Sequence, residues 1–280
     1  MYPYLHIGPW TLGTFGLLLW LAAVAATYVL YHDFRRHGVD ADAINVVAIV
    51  MISGVIGAKV WHELQSPHEL VDAMRQIALP GWSHPGQVLM GFLHWFQAGF
   101  AWFGGLLAGI LALMWQGRVA KTGPVRMLDL AAPAAAVGYG VGRIGCLTSG
   151  DGDYGITTYM PWGVHIHDNA LDPPVPNPPD LLVHPTPVYE LLYALAIAWW
   201  LWNRGRKPLP VGLLTGEYLV LSGIGRFLVE FLRRNPRIYW GMSNAQVAAI
   251  LSVAAGAALI VVAKQKQTLP ETQTLDTNAA

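Results

Sequence analysis

The sequence predicts an all-α integral membrane protein of about seven transmembrane helices. It predicts an N-terminus outside, a C-terminus inside and an external Pro/Asp-rich segment between helices four and five. Three observations carry this expectation. The 280 residues are 54% hydrophobic and only 12% charged, about half the charged fraction of a soluble domain. Mean hydropathy is +0.40, and the apolar residues gather in runs long enough for the roughly 30 Å of a hydrocarbon core. The 12 Trp and 11 Tyr suit the aromatic belts at the two faces of a bilayer.

Composition also excludes several function classes. A formal net charge of +0 leaves no general basic surface for nucleic acid, so no nucleic-acid partner is expected. A single cysteine, Cys146, excludes an intrachain disulfide. No cofactor and no metal are expected, because Asp151, Asp153, His165 and His167 match no ligand spacing and read as a turn with solvated histidines. The N-terminus lacks a basic n-region and a small-residue cleavage site, so its first apolar run reads as a retained span.

The predicted spans lie near Trp10–Tyr31, Ala43–Leu64, Phe96–Trp115, Met127–Cys146, Val188–Trp202, Gly212–Leu232 and Asn244–Ala263. No 20–50-residue repeat breaks the chain into an array. Residues 1–263 therefore read as one polytopic membrane domain, and the polar residues 264–280 as a disordered cytoplasmic tail.

Orientation follows from the basic residues of the loops. Arg35 and Arg36 follow span one, and Arg118, Lys121 and Arg126 follow span three. Arg204, Arg206 and Lys207 follow span five, and Lys264 and Lys266 follow span seven. All ten fall on one side, which the positive-inside rule makes cytoplasmic. Leu147–Thr186, on the other side, has no Lys or Arg, five Asp and many Pro, and reads as an external segment rather than a helix.

Seven basic residues depart from this pattern. Arg75 falls in a long external loop and reads as solvated. Lys59, Arg143, Arg226, Arg233, Arg234 and Arg237 fall in or beside the outer ends of spans two, four and six. Snorkelling to headgroups is one reading, strongest for Arg233, Arg234 and Arg237. Arg143 and Arg226 lie deeper and are flanked by glycines. A cation at membrane depth is costly without an anionic partner, so these two are read as ligand or ion-pair residues.

The stretches around them carry the chemistry. Val141–Gly155 reads VGRIGCLTSGDGDYG, an arginine at the end of an apolar run followed by a Gly/Asp turn. Span six reads SGIGRFLVEFLRRN; Arg226 and Glu230 are four apart on one helix face, which Arg233 and Arg234 continue. That pattern is an intrahelical ion pair, a cationic clamp oriented by Glu230, or both. Arginine suits phosphate because its planar fork presents paired donors and stays charged. In span three, Gly105 and Gly109 form a small-residue face, as do Ser53 and Gly57 in span two. Gly104 and Gly105 let another helix or a lipid approach closely. His184–Glu190, reading HPTPVYE, leads into span five with its polar groups at the outer interface; Tyr189 and Glu190 read there as cap and interfacial anchors.

GRIGCLTSGDGDYG, HPTPVYE and GRFLVEFLRRN, in this order on seven predicted spans, resemble the bacterial prolipoprotein diacylglyceryl transferase family. The resemblance covers roughly Trp10 to Ala263. It implies an all-helical inner-membrane enzyme, open to the outer leaflet. Such an enzyme moves a diacylglyceryl group from phosphatidylglycerol to the lipobox cysteine thiol of a lipoprotein precursor and releases glycerol phosphate. Arg143 and Arg226 match the two essential arginines, and Gly150 and Gly155 match signature glycines. His184, Tyr189 and Glu190 match an HP-x-x-x-YE element, and Asp129 matches an aspartate opening span four.

The chain also departs from that pattern. Phe103 stands before Gly104-Gly105 where the family has histidine, Phe15 replaces a tyrosine, and Lys59 replaces an arginine. Cys146 replaces the signature asparagine. Ser149-Gly150-Asp151 replaces an Asn-Gly-Glu, with Gly152-Asp153 lengthening the loop. The phosphate-holding half of the implied site is kept and the proton-handling half is not. The resemblance thus implies that Arg143 and Arg226 hold the phosphate, with Lys59, Gly104, Gly105, Gly150, Tyr189 and Arg233 lining the lipid site. Asp151, Asp153, His184 and Glu230 are the candidate proton acceptors, Asp151 and Asp153 foremost. Expected partners are phosphatidylglycerol, lipoprotein-precursor signal peptides and membrane lipids. Transfer to a non-protein acceptor, and a non-catalytic lipid-binding or transport role, are the alternatives. A nucleophilic role for Cys146 is the weaker reading beside that of a small apolar filler.

Overall fold

The computed structural model describes residues 4–8, 10–79, 84–97, 99–150, 153–165 and 182–268. It is predominantly helical. By its internal contacts the chain divides into two compact units, Met1–Gly38 with Asp129–Ala280, and Val39–Leu128.

The first unit begins with an antiparallel ribbon of β1 (Tyr4–Ile7) and β2 (Trp10–Gly13). This corrects the expectation that span one starts at Trp10. Gly8 turns the chain with φ 60, and His6 Nδ1 meets Thr11 Oγ1 at 3.1 Å across the ribbon. Helix α1 (Thr14–His37) follows and ends on Gly38 in a left-handed cap. Its last turn is tied to the end of a later helix, α7 (Thr186–Arg204). The Arg36 guanidinium stacks 4.2 Å from the Trp202 ring and pairs with buried Asp33, and His37 Nε2 meets the Gly205 carbonyl oxygen at 3.1 Å.

Helix α6 (Pro124–Ser149) enters this unit at Asp129 and stops at Gly150, whose φ of 74 a side chain would resist. Helix α8 (Leu213–Val229) runs on into a short 3₁₀ turn, Glu230–Leu232, and α9 (Asn244–Thr268) closes the unit. Ala132, Ala136, Ile197, Ala198, Leu201 and Leu214 form the apolar core of α6, α7 and α8. Small residues bring α8 and α9 together: a Cβ on Gly216 would meet the Gly256 carbonyl oxygen at 2.9 Å. Two further ribbons, β3 (Val164–His165) with β4 (Leu182–Val183) and β5 (Arg237–Tyr239) with β6 (Met242–Ser243), qualify the all-α expectation. They satisfy backbone polar groups of connecting segments that would otherwise need water.

The second unit contains α2 (Ala43–Gln65), α3 (Pro67–Ala78), α4 (Pro85–Gln97) and α5 (Trp102–Val119). The predicted long loop after span two is thus a pair of helices, each opened by proline. Predicted span three is corrected too. Gly99, at φ 72, separates α4 from α5, so Phe96 and Trp115 lie on different helices. A Cβ on Gly57 or Gly104 would overlap the backbone of the facing helix, and one on Gly105 would come within 3.1 Å of the Gly54 carbonyl oxygen. Tight packing of α2 on α5 therefore uses Gly57, Gly104 and Gly105, which the sequence singles out, with Gly54 added.

By length and composition α1, α2, α6 and α9 are each able to cross a membrane. Helices α5, α7 and α8, at the remaining predicted spans, have 18, 19 and 17 residues.

Candidate functional site

The polar center of the first unit is built from five contributors. Helix α6 supplies Arg143 and, one turn earlier, Tyr139. Helix α7 supplies Glu190 from its second turn. Helix α8 and the 3₁₀ turn supply Arg226 and Glu230, and Arg233 follows directly. The fifth contributor is an extended segment, Asp153–Thr158. It is held on one side by Gly155 N donating to the His184 carbonyl at 2.9 Å and His184 N donating to the Ile156 carbonyl at 3.1 Å. On the other side, Ile156 N donates to the Leu232 carbonyl at 2.8 Å. A Cβ on Gly155 would lie 2.6 Å from the Leu232 carbonyl oxygen, so this position requires glycine. The Thr186 hydroxyl donates to the Asp153 carbonyl at 2.9 Å and anchors the segment's start.

Glu190 is the hub. Its carboxylate is fully buried, with Oε2 at 2.6 Å from Arg143 Nε and Oε1 paired with Arg226 Nη1. The Tyr139 hydroxyl donates to Oε1 at 3.0 Å, and Tyr193 lies 3.1 Å from Tyr139. Because the Tyr139 hydrogen goes to Glu190, the Tyr193 hydroxyl donates to Tyr139, and the chain of donors runs one way toward the carboxylate. Glu230 pairs with Arg226 Nη2 at 3.0 Å and accepts from Asn235 at 2.6 Å and Ser243 at 2.7 Å. Asp153 joins Arg143 Nη1, at 2.5 Å, to Arg233 Nη2.

Three guanidiniums thus face three carboxylates, and the formal charges cancel. Exposure is not shared equally. Glu190 and Glu230 have side-chain exposures of 0% and 1%, whereas Arg143 and Arg226 keep 16% and 22%. The accessible edge of the cluster therefore presents Arg143 and Arg226 together with Asp153, whose side chain is 25% exposed. Buried charges of either sign persist only when paired, so the carboxylates hold the arginines charged and oriented.

Asp153 lies outside the helices and titrates abnormally. Burial, the largest influence, pushes its carboxyl up. The charges and hydrogen bonds of Arg233 and then Arg143 outweigh burial and hold it below its ordinary value.

The structure brings together Arg143, Arg226, Arg233, Asp153 and Glu230 from the residues singled out in sequence. His184 and Tyr189 adjoin them through the Gly155–Ile156 pairing. Tyr189 accepts from Trp162 Nε1 at 2.7 Å and lies 3.0 Å from His184 Nδ1. Gly150 ends α6 just before the segment. Asp151 lies outside the described residues. Lys59, Gly104 and Gly105 belong to the other unit, where Lys59 pairs with Glu63 at 2.9 Å and donates to the Trp95 carbonyl at 2.6 Å. Cys146 Sγ accepts from Arg143 Nη1 at 3.4 Å.

The sequence reading of Glu190 as an interfacial anchor is corrected by its complete burial among arginines. A carboxylate within an apolar helix was the available signal, because such a group needs a cationic partner. Tyr139 had a weaker one, its four-residue spacing from Arg143. Tyr193, Asn235 and Ser243 had none.

Known proteins resemble this chain along most of its length. The prolipoprotein diacylglyceryl transferase family profile matches residues 3–262. The phosphatidylglycerol–prolipoprotein diacylglyceryl transferase of Pseudoalteromonas atlantica is 30% identical over 276 residues, covering 95% of this chain and 90% of that protein. The transferase of that name from Leptospira interrogans is 28% identical over 247 residues, covering 81% of this chain and 73% of its own. That from Clostridium tetani is 27% identical over 224 residues, covering 80% and 81%.

Proposed function

The chain belongs to the prolipoprotein diacylglyceryl transferase family, and from this premise we propose that it transfers diacylglyceryl from phosphatidylglycerol to the lipobox cysteine thiol of a lipoprotein precursor. The observation that carries the reading is the pair of partly exposed guanidiniums, Arg143 and Arg226, held over the buried carboxylates of Glu190 and Glu230. The relatives' names supply the substrates.

In this reading Arg143 and Arg226 hold the phosphate of the lipid. The acceptor thiolate attacks the glyceryl carbon that bears the phosphate oxygen. A C–S bond forms as the C–O bond breaks, and glycerol phosphate leaves with one more negative charge than the bound diester carried. Preorganised donors aimed at that developing charge are worth about 3–4 kcal/mol each in comparable sites. The thiol must lose its proton first. Asp153 and Glu230 are each engaged by two guanidiniums. Among the described candidates this leaves His184, beside Tyr189, for the proton.

The seven-span arrangement, N-terminus out, in a bacterial inner membrane with the site toward the outer leaflet is part of the same proposal. The ten basic residues of the alternate loops support it. The test uses purified protein, labelled phosphatidylglycerol and a lipobox peptide. Wild type is expected to release glycerol phosphate and lipidate the peptide, and Arg143→Ala to do neither. Undiminished lipidation by Arg143→Ala sinks the scheme.

A further inference from the structure

We propose that Asp153 is the resident counter-anion of the phosphate seat: its carboxylate bridges Arg143 and Arg233 in the resting site, yields that place to the lipid phosphate, and returns to expel the phosphorylated product. This rests on the transferase reading above and adds a specific residue to it. The three site carboxylates are not equivalent. Glu190 and Glu230 are carried by α7 and the 3₁₀ turn and are sealed in. Asp153 is the outermost, with a side-chain exposure of 25%, and it stands on an extended segment rather than a helix.

The geometry matches the seat of an oxyanion. Oδ2 meets Arg143 Nη1 at 2.5 Å and Oδ1 pairs with Arg233 Nη2, so one group bridges two guanidiniums as two phosphate oxygens do. The backbone of Asp153 is fixed independently by Thr186 Oγ1 on its carbonyl and by Gly155 N on the His184 carbonyl. The side chain can therefore leave by rotation about its own bonds while the segment stays paired. Arg233 is buried, and its Nε and Nη1 have no hydrogen-bond partner among the described residues. Its contacts to Glu190 and Glu230 are 3.6 Å each, beyond hydrogen-bond length. A tetrahedral phosphate offers more oxygens to those donors than a planar carboxylate does.

Product release supplies the reason for such a residue. Three arginines that bind a singly charged phosphodiester hold a doubly charged phosphomonoester more tightly, and would retain the product. An internal carboxylate tethered beside the seat competes with both and returns as the product departs. A tethered competitor acts at high effective concentration without any free anion.

The experiment measures binding and turnover on the full-length protein in detergent, for wild type, Asp153→Asn and Asp153→Ser. All three are purified with glycerol phosphate, which fills the seat and supports folding, and it is then dialysed away. The probes are phosphatidylglycerol and glycerol phosphate. Both variants are expected to bind each probe roughly tenfold more tightly, with the larger gain for glycerol phosphate. KM for phosphatidylglycerol is expected to fall together with kcat, and glycerol phosphate to become a stronger inhibitor. Unchanged or weaker binding of both probes overturns the proposal, as does failure of both variants to fold with glycerol phosphate present. Tighter binding by the variants of a chain that transfers no diacylglyceryl refutes the transferase reading and leaves the counter-anion role. Transfer by variants whose binding constants match wild type does the reverse.

Discussion

Replacing Glu190 by Gln removes the buried anion shared by Arg143 and Arg226 and leaves two half-buried guanidiniums beside a neutral amide. Breaking a buried pair on one side costs about 3–5 kcal/mol, so Glu190→Gln is expected to lower the melting temperature in detergent and to abolish transfer. Tyr139→Phe removes one hydrogen bond to the same carboxylate and is expected to cost less, about 1.5–3 kcal/mol. A melting curve for Glu190→Gln that overlays wild type refutes the hub role. Asp153 gives a pH signature. Its folded-state carboxyl lies below the ordinary value, because Arg233 and Arg143 outweigh burial. Its stabilisation is therefore complete above the unfolded value and is lost as pH falls through the folded one. The melting difference between wild type and Asp153→Asn is expected to be constant near neutrality and to close in acid; a gap unchanged in acid contradicts the assignment. Arg143 and Arg226 were legible in sequence because a charge within an apolar run stands out. Asn235 and Ser243, which complete the shell of Glu230, are ordinary polar residues beside a turn and give no such contrast.

Helix α8 begins without a capping side chain of its own, on Gly212 at φ 95. The cap is supplied from α6. Buried Asp129 accepts from Gly212 N at 2.6 Å, Thr215 N at 2.8 Å and the Thr215 hydroxyl at 2.7 Å. Loss of a cap costs about 0.5–2 kcal/mol, and stranded buried donors add to that, so Asp129→Ala is expected to lie at or above the upper figure. Asp129→Asn, which keeps acceptor oxygen on one side only, should fall between. Equal melting of Asp129→Ala and wild type excludes the cap. Helices α2 and α5 depend on absent side chains instead. A Cβ on Gly104 would overlap the Gly57 carbonyl oxygen and Trp61, and forced overpacking costs about 1–3 kcal/mol. Gly104→Ala is expected to destabilise the protein measurably. An unperturbed melting curve would show that the two helices separate freely at this level. The glycines were visible as a pattern, but their partners were not, since spacing within one helix says nothing about the register of its neighbour. The helices α3 and α4 were hidden by a connection that looked like loop, and the break at Gly99 was hidden by continuous hydrophobicity across it.

For the whole molecule, the basic residues of the loops predict that the tail faces the cytoplasm and that the segment between α6 and α7 faces outward. With Cys146 replaced by Ala, a single cysteine at Thr274 is expected to react with an impermeant maleimide only after the membrane is opened. A cysteine at Asp168 is expected to react from outside. Labelling of position 274 in sealed cells, or its absence at 168, reverses the orientation. The knot of Arg36, Trp202, His37 and Gly205 ties the ends of α1 and α7, and these residues fall on the side that the charge rule predicts to be internal.

Hydrophobicity and charge act on each segment separately, so the sequence by itself determined that the chain is a predominantly helical, apolar protein, which residues are anomalous cations, and which family it resembles. Pairing acts between segments far apart in the chain, and only the tertiary structure decided it. Glu190 lies 47 residues from Arg143 and 36 from Arg226, and Asp153 lies 80 residues from Arg233. No local periodicity encodes those distances. They arise because buried charges must meet opposite charges, and the fold brings arginines far apart in the chain onto one shared set of carboxylates.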